Sequence, residues 1–260
     1  MKKLYLFAFL IYHFPLLQAQ LNFGVKLSVL ATDVNVKADN SLNSIDFPTA
    51  RKLSYDGGVI LEYEFLPDFL GIRTGLDYAQ KGYNVNLDQL KEKYSDIKNI
   101  EGDWTVALQY LQMPVSMYYK IGNFNINAGP YLAYALGGKE KYDMEVLYDD
   151  GTKELFEGNE DIIPVSGEAD VDLEDQGETL LINYINELDY GLNLGVGFSI
   201  KKFQINVQYQ QGLKNLTPDL LKENNFKPSD FITKNNVISI DLVYFFIGHN
   251  KNSRDSYNQF

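Results

Sequence analysis

Apolar and polar residues alternate along most of the chain from Leu21 onward. This period of two is typical of β-strands whose two faces meet different surroundings. In the clearest stretch, from Leu188 to Ile200, large apolar side chains occupy every second position, with Asp, Gly, Asn and Ser between them. The alternation predicts eight strands, at about 21–31, 55–65, 70–78, 104–119, 124–134, 188–200, 203–209 and 238–246.

The fourth of these segments changes phase. Trp104 to Leu108 have their apolar residues at even positions, whereas Leu111 to Tyr119 have them at odd positions. We therefore predict a β-bulge near Tyr110, because one extra residue shifts the alternation. Pro114 falls on the polar face of this strand and removes one backbone donor, which weakens the strand prediction there.

The connections between predicted strands alternate in length. Three are short, at 66–69, 120–123 and 201–202, and four are long, at about 32–54, 79–103, 135–187 and 210–236. Outer-membrane barrels have short periplasmic turns on one rim and long loops on the other. The pattern predicts an all-β fold: an eight-stranded antiparallel up-and-down transmembrane β-barrel with four long extracellular loops and short periplasmic turns.

Aromatic residues lie at both ends of the apolar face. One end has Tyr63, Phe65, Tyr119, Phe124, Phe198, Phe203, Tyr244 and Phe246, and the other has Tyr55, Tyr78, Tyr134, Tyr190 and Tyr209. The ten-residue step from Tyr55 to Phe65 corresponds to roughly 20–25 Å along the membrane normal at the usual strand rise and tilt. The apolar band of such barrels is about 25 Å tall. We therefore expect the apolar face to meet lipid between two aromatic girdles.

The opposite face of the strands is too charged to form the core of a soluble protein. Its ionised residues are Lys26, Glu62, Glu64, Arg73, Asp77, Asp189 and Asp241. An eight-stranded barrel has an interior just wide enough for side chains to fill it. We predict that these residues form an interior charge cluster in which Lys26 and Arg73 pair with the acids and plug the lumen. The alternative, in which each residue faces a separate wet pocket, stays open.

The first segment, residues 1–19, has the composition of a signal peptide. Lys2 and Lys3 precede an apolar stretch from Leu4 to Leu17, and Ala19 is a small residue suited to cleavage. The alternative is a retained anchor, but a spanning helix needs about 20 residues. We predict a signal peptide at 1–19, a barrel at 20–248 and a polar C-terminal tail at 249–260, in the cell outer membrane.

Composition limits the chemistry that is open to the chain. The net charge of −12 argues against nucleic acid as a partner, and the absence of cysteine rules out disulfides and thiolate metal sites. The two histidines, His13 and His249, lie outside the predicted barrel and its loops. Proton transfer near neutral pH most often uses histidine. We therefore predict no enzyme activity, no catalytic or metal site and no cofactor.

The predicted loop 139–187 is strongly acidic, with three lysines and sixteen acids. Its segment 170–178 has the acidic spacing of a calcium loop, but Asp175 stands where such a loop needs glycine. We expect a solvated acidic loop. The alternative is that the loop bridges divalent ions to lipopolysaccharide or to a partner.

Five stretches together resemble the PorT-like "porin family" of outer-membrane β-barrel domains. They are LQMPVSMYYK (111–120), NINAGPYLAYALGGK (125–139), LDYGLNLGVGFSI (188–200), INVQYQQGLKNL (205–216) and VISIDLVYFF (237–246). The resemblance implies an eight-stranded barrel in outer-membrane lipid, inserted by the barrel-assembly machinery, which recognises an aromatic-ended last strand. Val237 to Phe246 matches that signal, whereas the tail after His249 departs from it.

Some members of that family serve protein-secretion or gliding machinery. We therefore predict a barrel of structural or interaction type, an accessory component of a secretion or surface machinery that contacts a protein partner through its long loops. A narrow pore or transporter for small solutes is the alternative. A soluble lipid-binding barrel is a third candidate, and it requires the polar face to point outward.

Overall fold

The computed structural model describes residues 21–38, 48–166, 184–218 and 231–248. The predicted signal peptide 1–19, the tail 249–260 and the calcium-like segment 170–178 lie outside them. Within the described residues the strands are β1 (Leu21–Ala38), β2 (Thr49–Ala50), β3 (Lys52–Leu66), β4 (Leu70–Val85), β5 (Ile97–Ile121), β6 (Phe124–Tyr148), β7 (Lys153–Val165), β8 (Tyr184–Asn186), β9 (Leu188–Ile200), β10 (Phe203–Gly212) and β11 (Phe231–Ile247). One short helix, α1 (Leu87–Glu92), lies between β4 and β5.

Eight of these strands close into a barrel. β1 pairs antiparallel with β3 on one side and with β11 on the other, and the ring continues through β4, β5, β6, β9 and β10. Every barrel strand therefore has two hydrogen-bonded neighbours, and the barrel part of the sheet has no open edge, as a bilayer requires. The predicted eight-stranded β-barrel is confirmed.

Tight turns join the strands at the periplasmic end of the barrel, which we call the inner rim. β3 and β4, β5 and β6, and β9 and β10 are separated by two or three residues. Asp68, Gly122 and Lys201 in these turns have φ values of 59°, 61° and 54°. Such left-handed residues reverse the chain within a few positions, as short hairpins need.

The apolar face of the barrel points outward, as predicted. Leu27 on β1 is 68% exposed and Leu194 on β9 is 56% exposed, although both are aliphatic. At the inner rim, aromatic rings from neighbouring strands contact one another, with centroid distances of 4.8 Å for Phe124–Phe198 and 5.0 Å for Phe203–Tyr244. A belt of this kind lies at the level of the lipid headgroups.

Two of the predicted loops contain regular structure. β5 and β6 each have 25 residues, about 80 Å of strand at 3.3 Å per residue. Crossing the apolar band takes only about ten residues. The two strands therefore continue together beyond the membrane, where β7 pairs with β6. The predicted loops 79–103 and 135–187 are in part this longer sheet.

The bulge lies in the partner strand of β5. Gln109 pairs with Gly137 and Tyr110 pairs with Ala135, so Leu136 of β6 is the extra residue. Gly137 has a φ of 140°, which a side chain would disfavour. Along β5 itself the alternation is unbroken, and the buried residues stay at even positions from Val106 to Tyr118. The phase change in the sequence has another cause. At the outer end of β5 the interior-facing residues, from Val106 to Tyr110, are themselves apolar.

An apolar cluster fills the outer end of the lumen. Its buried members are Val106, Leu108, Tyr110, Tyr131, Ala133, Ala135, Ile162, Ile185 and Leu216. They come from β5 and β6 and from β7, β8 and the segment after β10. Side chains from outside the barrel therefore cover its outer opening.

The only helix that the described residues contain has six residues. No helix in the described part of the chain is long and apolar enough to cross a membrane.

Candidate functional sites in the barrel interior and the outer extension

Buried ion pairs fill the barrel interior in three tiers. In the tier nearest the short turns, Arg73 donates to Glu62 Oε1 from Nε at 2.8 Å and from Nη2 at 2.5 Å. Arg73 Nη2 also donates to Gln204 Oε1 at 2.9 Å. Lys120 pairs with Glu64 beside them. This tier therefore contains two cations and two carboxylates, and its charge is balanced.

The middle tier is centred on Lys26. Its Nζ lies 2.7 Å from Asp77 Oδ2 and 3.3 Å from Asp56 Oδ2. Asp241 accepts a hydrogen bond from Gln208 Nε2 at 2.6 Å. Two carboxylates thus share one lysine, and Asp241 accepts a second hydrogen bond from Ser239 Oγ at 2.7 Å.

The outer tier holds Lys81 and Asp189, whose Nζ and Oδ2 atoms are 3.1 Å apart. Lys81 also lies over two aromatic rings, 5.0 Å from the Tyr110 centroid and 4.5 Å from the Tyr131 centroid. Asn235 Nδ2 donates to Asp189 Oδ2 at 2.9 Å. A desolvated charge is costly unless it is paired and hydrogen-bonded, and both charges here have several partners.

The structure places all seven residues of the predicted charge cluster on the interior side of the wall, distributed among the three tiers. The sequence prediction omitted three partners of these residues, Asp56, Lys81 and Lys120. Asp56 lies on the same polar face as Glu62, six residues before it, and was therefore accessible to the same alternation. Lys81 fell in a predicted loop and Lys120 in a predicted turn, and continuing the alternation past Tyr78 would have found Lys81.

Residues of the first two tiers line a small cavity. A cavity of about 20 Å³ lies between Lys26, Arg73, Asp77, Ser116 and Asn127. That is close to the volume that one water molecule needs.

Beyond the membrane, three strands form a second feature that we call the outer extension. It consists of residues 97–107 of β5, residues 138–148 of β6 and the whole of β7, with β6 in the centre. One face carries mainly charged side chains: Glu101, Asp103, Lys139, Lys141, Asp143, Glu145, Lys153, Glu157 and Asp161. The other face is mainly apolar and aromatic, so the sheet is amphipathic and its second face needs a cover.

The cover is incomplete and leaves an outer cleft of about 360 Å³. Its lining residues are Leu90, Tyr94, Ile97, Ile100, Trp104, Glu140, Tyr142, Met144, Val146, Tyr148, Phe156 and Glu160. Leu90 of α1 and Tyr94 just after it form the wall opposite the sheet. The helix is positioned by its N-cap, since the Asn86 side chain accepts a hydrogen bond from the Gln89 backbone at 3.2 Å. Small-molecule pockets have volumes of about 300–1,000 Å³.

Two carboxylates lie at the barrel end of the cleft. Glu140 of β6 and Glu160 of β7 are directly opposite each other in the strand register. Trp104 Nε1 donates to Glu140 Oε1 at 2.5 Å, and Tyr142 OH donates to Glu160 Oε1 at 3.3 Å. Burial raises the pKa of Glu140, the Trp104 hydrogen bond opposes this, and the charge of Glu160 raises the pKa further. This site was not predicted from the sequence, because the segment has the composition of an acidic loop.

Among the described residues, no group of three or more His, Asp or Glu side chains is arranged to hold a metal ion.

A closed antiparallel barrel with an apolar outer wall and a charged, packed interior is an integral outer-membrane protein. The model of the outer membrane protein β-barrel domain family matches residues 18–217. The chain belongs to this family, and it is located in the outer membrane.

Several solved outer-membrane barrels match the chain at low identity. Ail of Yersinia pestis is 12% identical, with 87% of this chain and 99% of that chain covered and a TM-score of 0.36. The outer membrane protease OmpT of Escherichia coli is 9% identical, with 88% and 97% covered and a TM-score of 0.37. OprG of Pseudomonas aeruginosa is 12% identical, with 87% and 93% covered and a TM-score of 0.34. The comparison with curated proteins found no match.

Proposed function

We propose that the barrel is a plugged anchor and that its outer extension is the binding surface for a partner outside the cell. One observation carries this proposal: β5 and β6 continue as a paired sheet well beyond the lipid band and are joined there by β7. A structure of this size needs its own packing, and it adds nothing to the barrel's insertion in lipid. A binding role explains why the chain maintains it.

The packing of the interior supports an anchor over a pore. The charges inside the wall are paired in tiers, and the apolar cluster around Leu108 and Tyr131 covers the outer end. A solute path through the lumen would have to break these ion pairs and move the cluster. The narrow pore remains the alternative, and liposome swelling distinguishes it from the anchor.

The role we propose is non-catalytic. The resemblance to PorT-like proteins suggests the kind of partner, a component of a secretion or surface machinery, and insertion by the barrel-assembly machinery. The absence of histidine between His13 and His249 supports a binding role over proton-transfer chemistry.

A shortened variant tests the proposal. Lys139 and Asp161 face each other in register, so residues 140–160 can be replaced by an Asn-Gly turn without disturbing the barrel wall. The intact protein and the variant are cross-linked at the cell surface and purified from outer membranes. Both should show the heat-modifiable gel mobility of a folded barrel.

We expect a partner that is captured by the intact protein and lost with the shortened variant. Capture of the same partner by both proteins at equal yield would contradict the proposal. Swelling of liposomes that contain only the intact protein would show that solutes pass through the barrel, and this result would favour the pore.

A further inference from the structure

The outer extension ends at β7, whose second edge is open over most of its length. β6 lies along one side of β7, and β8 joins the other side only at 163–165. Within the described residues, no strand pairs with that side of 153–161. We infer that this edge binds an extended basic segment of a partner protein, which adds to the sheet as a further strand. The inference rests on the proposed function, because it names the class of partner that the outer extension would bind.

The backbone groups of alternate β7 residues point to the open edge. Tyr148 N donates to Thr152 O at 2.9 Å, so these two residues form a hydrogen-bonded pair where the β6–β7 ladder begins. In an antiparallel ladder such pairs alternate with pairs that exchange no hydrogen bonds. The register continues without a shift to Ile162, opposite Gly138. The odd-numbered residues from 153 to 161 therefore direct their N–H and C=O groups away from β6.

The end of the same edge already holds a strand. β8 pairs parallel with β7 at 163–165, and the Val165 carbonyl accepts a hydrogen bond from the Glu187 backbone at 3.0 Å. Val165 is odd-numbered, which agrees with the direction assigned to the other odd residues. A strand added at 153–161 would continue this arrangement along β7. Main-chain hydrogen bonds of this kind supply the affinity when an extended peptide joins a sheet edge.

The acidic residues of β7 select the charge of the added strand. Open edges are commonly blunted by proline, lysine or a β-bulge, whereas 153–161 contain no proline, one lysine and an unshifted register with β6. Four of these nine residues are acids: Glu154, Glu157, Glu160 and Asp161. Like charges on adjacent strands are unfavourable, so two copies of β7 would repel each other. A strand with lysine or arginine would be attracted.

The two faces of β7 define the residue pattern of the partner segment. Glu157 and Asp161 lie on the charged face, at positions whose backbone groups point to the edge. Side chains of an added strand would lie about 5 Å from them. On the other face Phe156 is 40% exposed. Basic residues at alternate positions would meet the acids, and apolar residues between them would extend the aromatic face beyond Phe156.

A short fluorescent peptide of alternating valine and lysine is the probe. The full-length protein, folded in a non-ionic detergent, is titrated against it, and fluorescence anisotropy reports binding. An alternating valine–glutamate peptide is the control for charge. A valine–lysine peptide with two central prolines is the control for backbone pairing. We expect saturable binding of the valine–lysine peptide and binding about tenfold weaker, or less, for both controls.

Three results of this titration would overturn the inference. They are the lack of saturable binding of the valine–lysine peptide, equal binding of either control peptide, and equal binding by the shortened variant without 140–160. A stable dimer of the intact protein that the peptide does not dissociate would assign the edge to a second copy, and it would also overturn the inference.

Matched variants at Asn159 separate the backbone from the side chain. Asn159 is odd-numbered and exposed, so Asn159→Pro removes an N–H that points to the edge and leaves the pairing with β6 intact. Asn159→Ala removes the same side chain and keeps the N–H. We expect about tenfold weaker binding of the valine–lysine peptide for Asn159→Pro and a change within about twofold for Asn159→Ala. Equal binding by the two variants would overturn the inference.

A charge reversal tests the same edge without altering the backbone. Glu157 lies opposite Asp143 in the register, so the lysine of Glu157→Lys faces an acid on β6. This variant should bind the valine–lysine peptide more weakly and the valine–glutamate peptide more tightly than the intact protein does. Unchanged affinities for both peptides, with the Trp104 emission of the intact protein, would contradict the role of the β7 acids.

The two proposals can fail separately. A cross-linked partner that is lost on deletion of 140–160 but kept by Asn159→Pro would leave the proposed function standing and remove strand addition. Peptide binding that depends on the Asn159 N–H, together with a partner that ignores the deletion, would keep the strand site and remove the partner role.

Discussion

Lys81 and Asp189 lie 108 positions apart in the sequence, yet their Nζ and Oδ2 atoms are 3.1 Å apart inside the closed barrel. They join β4 to β9 across the lumen, just below the apolar cluster. Both side chains are almost completely removed from solvent. The pair is formed only when the ring of strands is complete, and it therefore depends on the fold as a whole.

Removing one member of this pair should be costly. Lys81→Met leaves Asp189 as a buried, uncompensated charge, and breaking a buried pair in this way costs about 3–5 kcal/mol. Urea titration of the refolded protein, followed by the loss of heat-modifiable gel mobility, measures the change in the free energy of unfolding.

The control is Lys153→Met, which removes the exposed pair with Glu145 in the outer extension. Exposed pairs contribute about 0–1 kcal/mol. Equal effects of the two substitutions would show that the interior is hydrated and that Lys81 is not desolvated.

The orientation of the wall in lipid predicts a second contrast. Leu194 on β9 and Leu155 on β7 are both exposed, at 56% and 78%, but Leu194 lies in the membrane band and Leu155 in the outer extension. Leu194→Arg should cost about 2–4 kcal/mol because a charge would face hydrocarbon. Leu155→Arg should change stability by less than about 0.5 kcal/mol, as surface substitutions do.

Folding into lipid vesicles at increasing urea concentration measures both variants under one condition. A cost for Leu155→Arg as large as that for Leu194→Arg would place β7 in the membrane and contradict the division between barrel and extension.

The sequence predicted the barrel well because lipid imposes a strict rule on it. Every second residue of a membrane strand must be apolar, and Leu188 to Ile200 obeys this without exception. Outside the lipid the rule weakens. Leu155 lies on the charged face of the outer extension, and Glu140 lies among its apolar residues. In that region the alternation does not show which face of a strand is buried. The sequence of a strand there therefore resembles that of an acidic loop.

The candidate sites were harder to predict for a second reason. Alternation identifies which side chains share a face, so the interior location of Lys26 and Arg73 could be inferred. It gives no information on which strands meet across a lumen. The bulge at Leu136 and Gly137 also reverses the faces of β6, and without it Glu140 would point away from the cleft.

The raised pKa of Glu140 predicts how the outer extension responds to pH. Because burial and Glu160 disfavour the charged form, the folded extension holds the Glu140 proton to a higher pH than the unfolded chain, whose pKa is near 4.5. As the pH rises from 4.5 through the folded pKa, the unfolded state releases this proton first, and the extension loses stability. Glu140→Gln removes that loss, and its amide oxygen can still accept from Trp104.

Thermal unfolding followed by Trp104 emission between pH 4 and pH 8 measures the effect as the difference between the two proteins. We expect Glu140→Gln to be relatively more stable toward pH 8. A constant difference across this range would show that Glu140 is solvated, contrary to its 3% exposure.

Gly158 of β7 supports the aromatic wall of the cleft, because the Tyr142 ring on β6 lies directly against it. A side chain at position 158 would occupy the space of that ring. Gly158→Val should therefore displace Tyr142, break its hydrogen bond to Glu160 and shift the Trp104 emission, since the two rings are in edge contact.

Asn159→Val, one residue further on the charged face, is the matched control and should leave the emission unchanged. Both variants should keep the gel mobility of the folded barrel, because neither residue belongs to its wall. A normal emission spectrum for Gly158→Val would mean that Tyr142 does not depend on the glycine and that the cleft can rearrange around a larger residue.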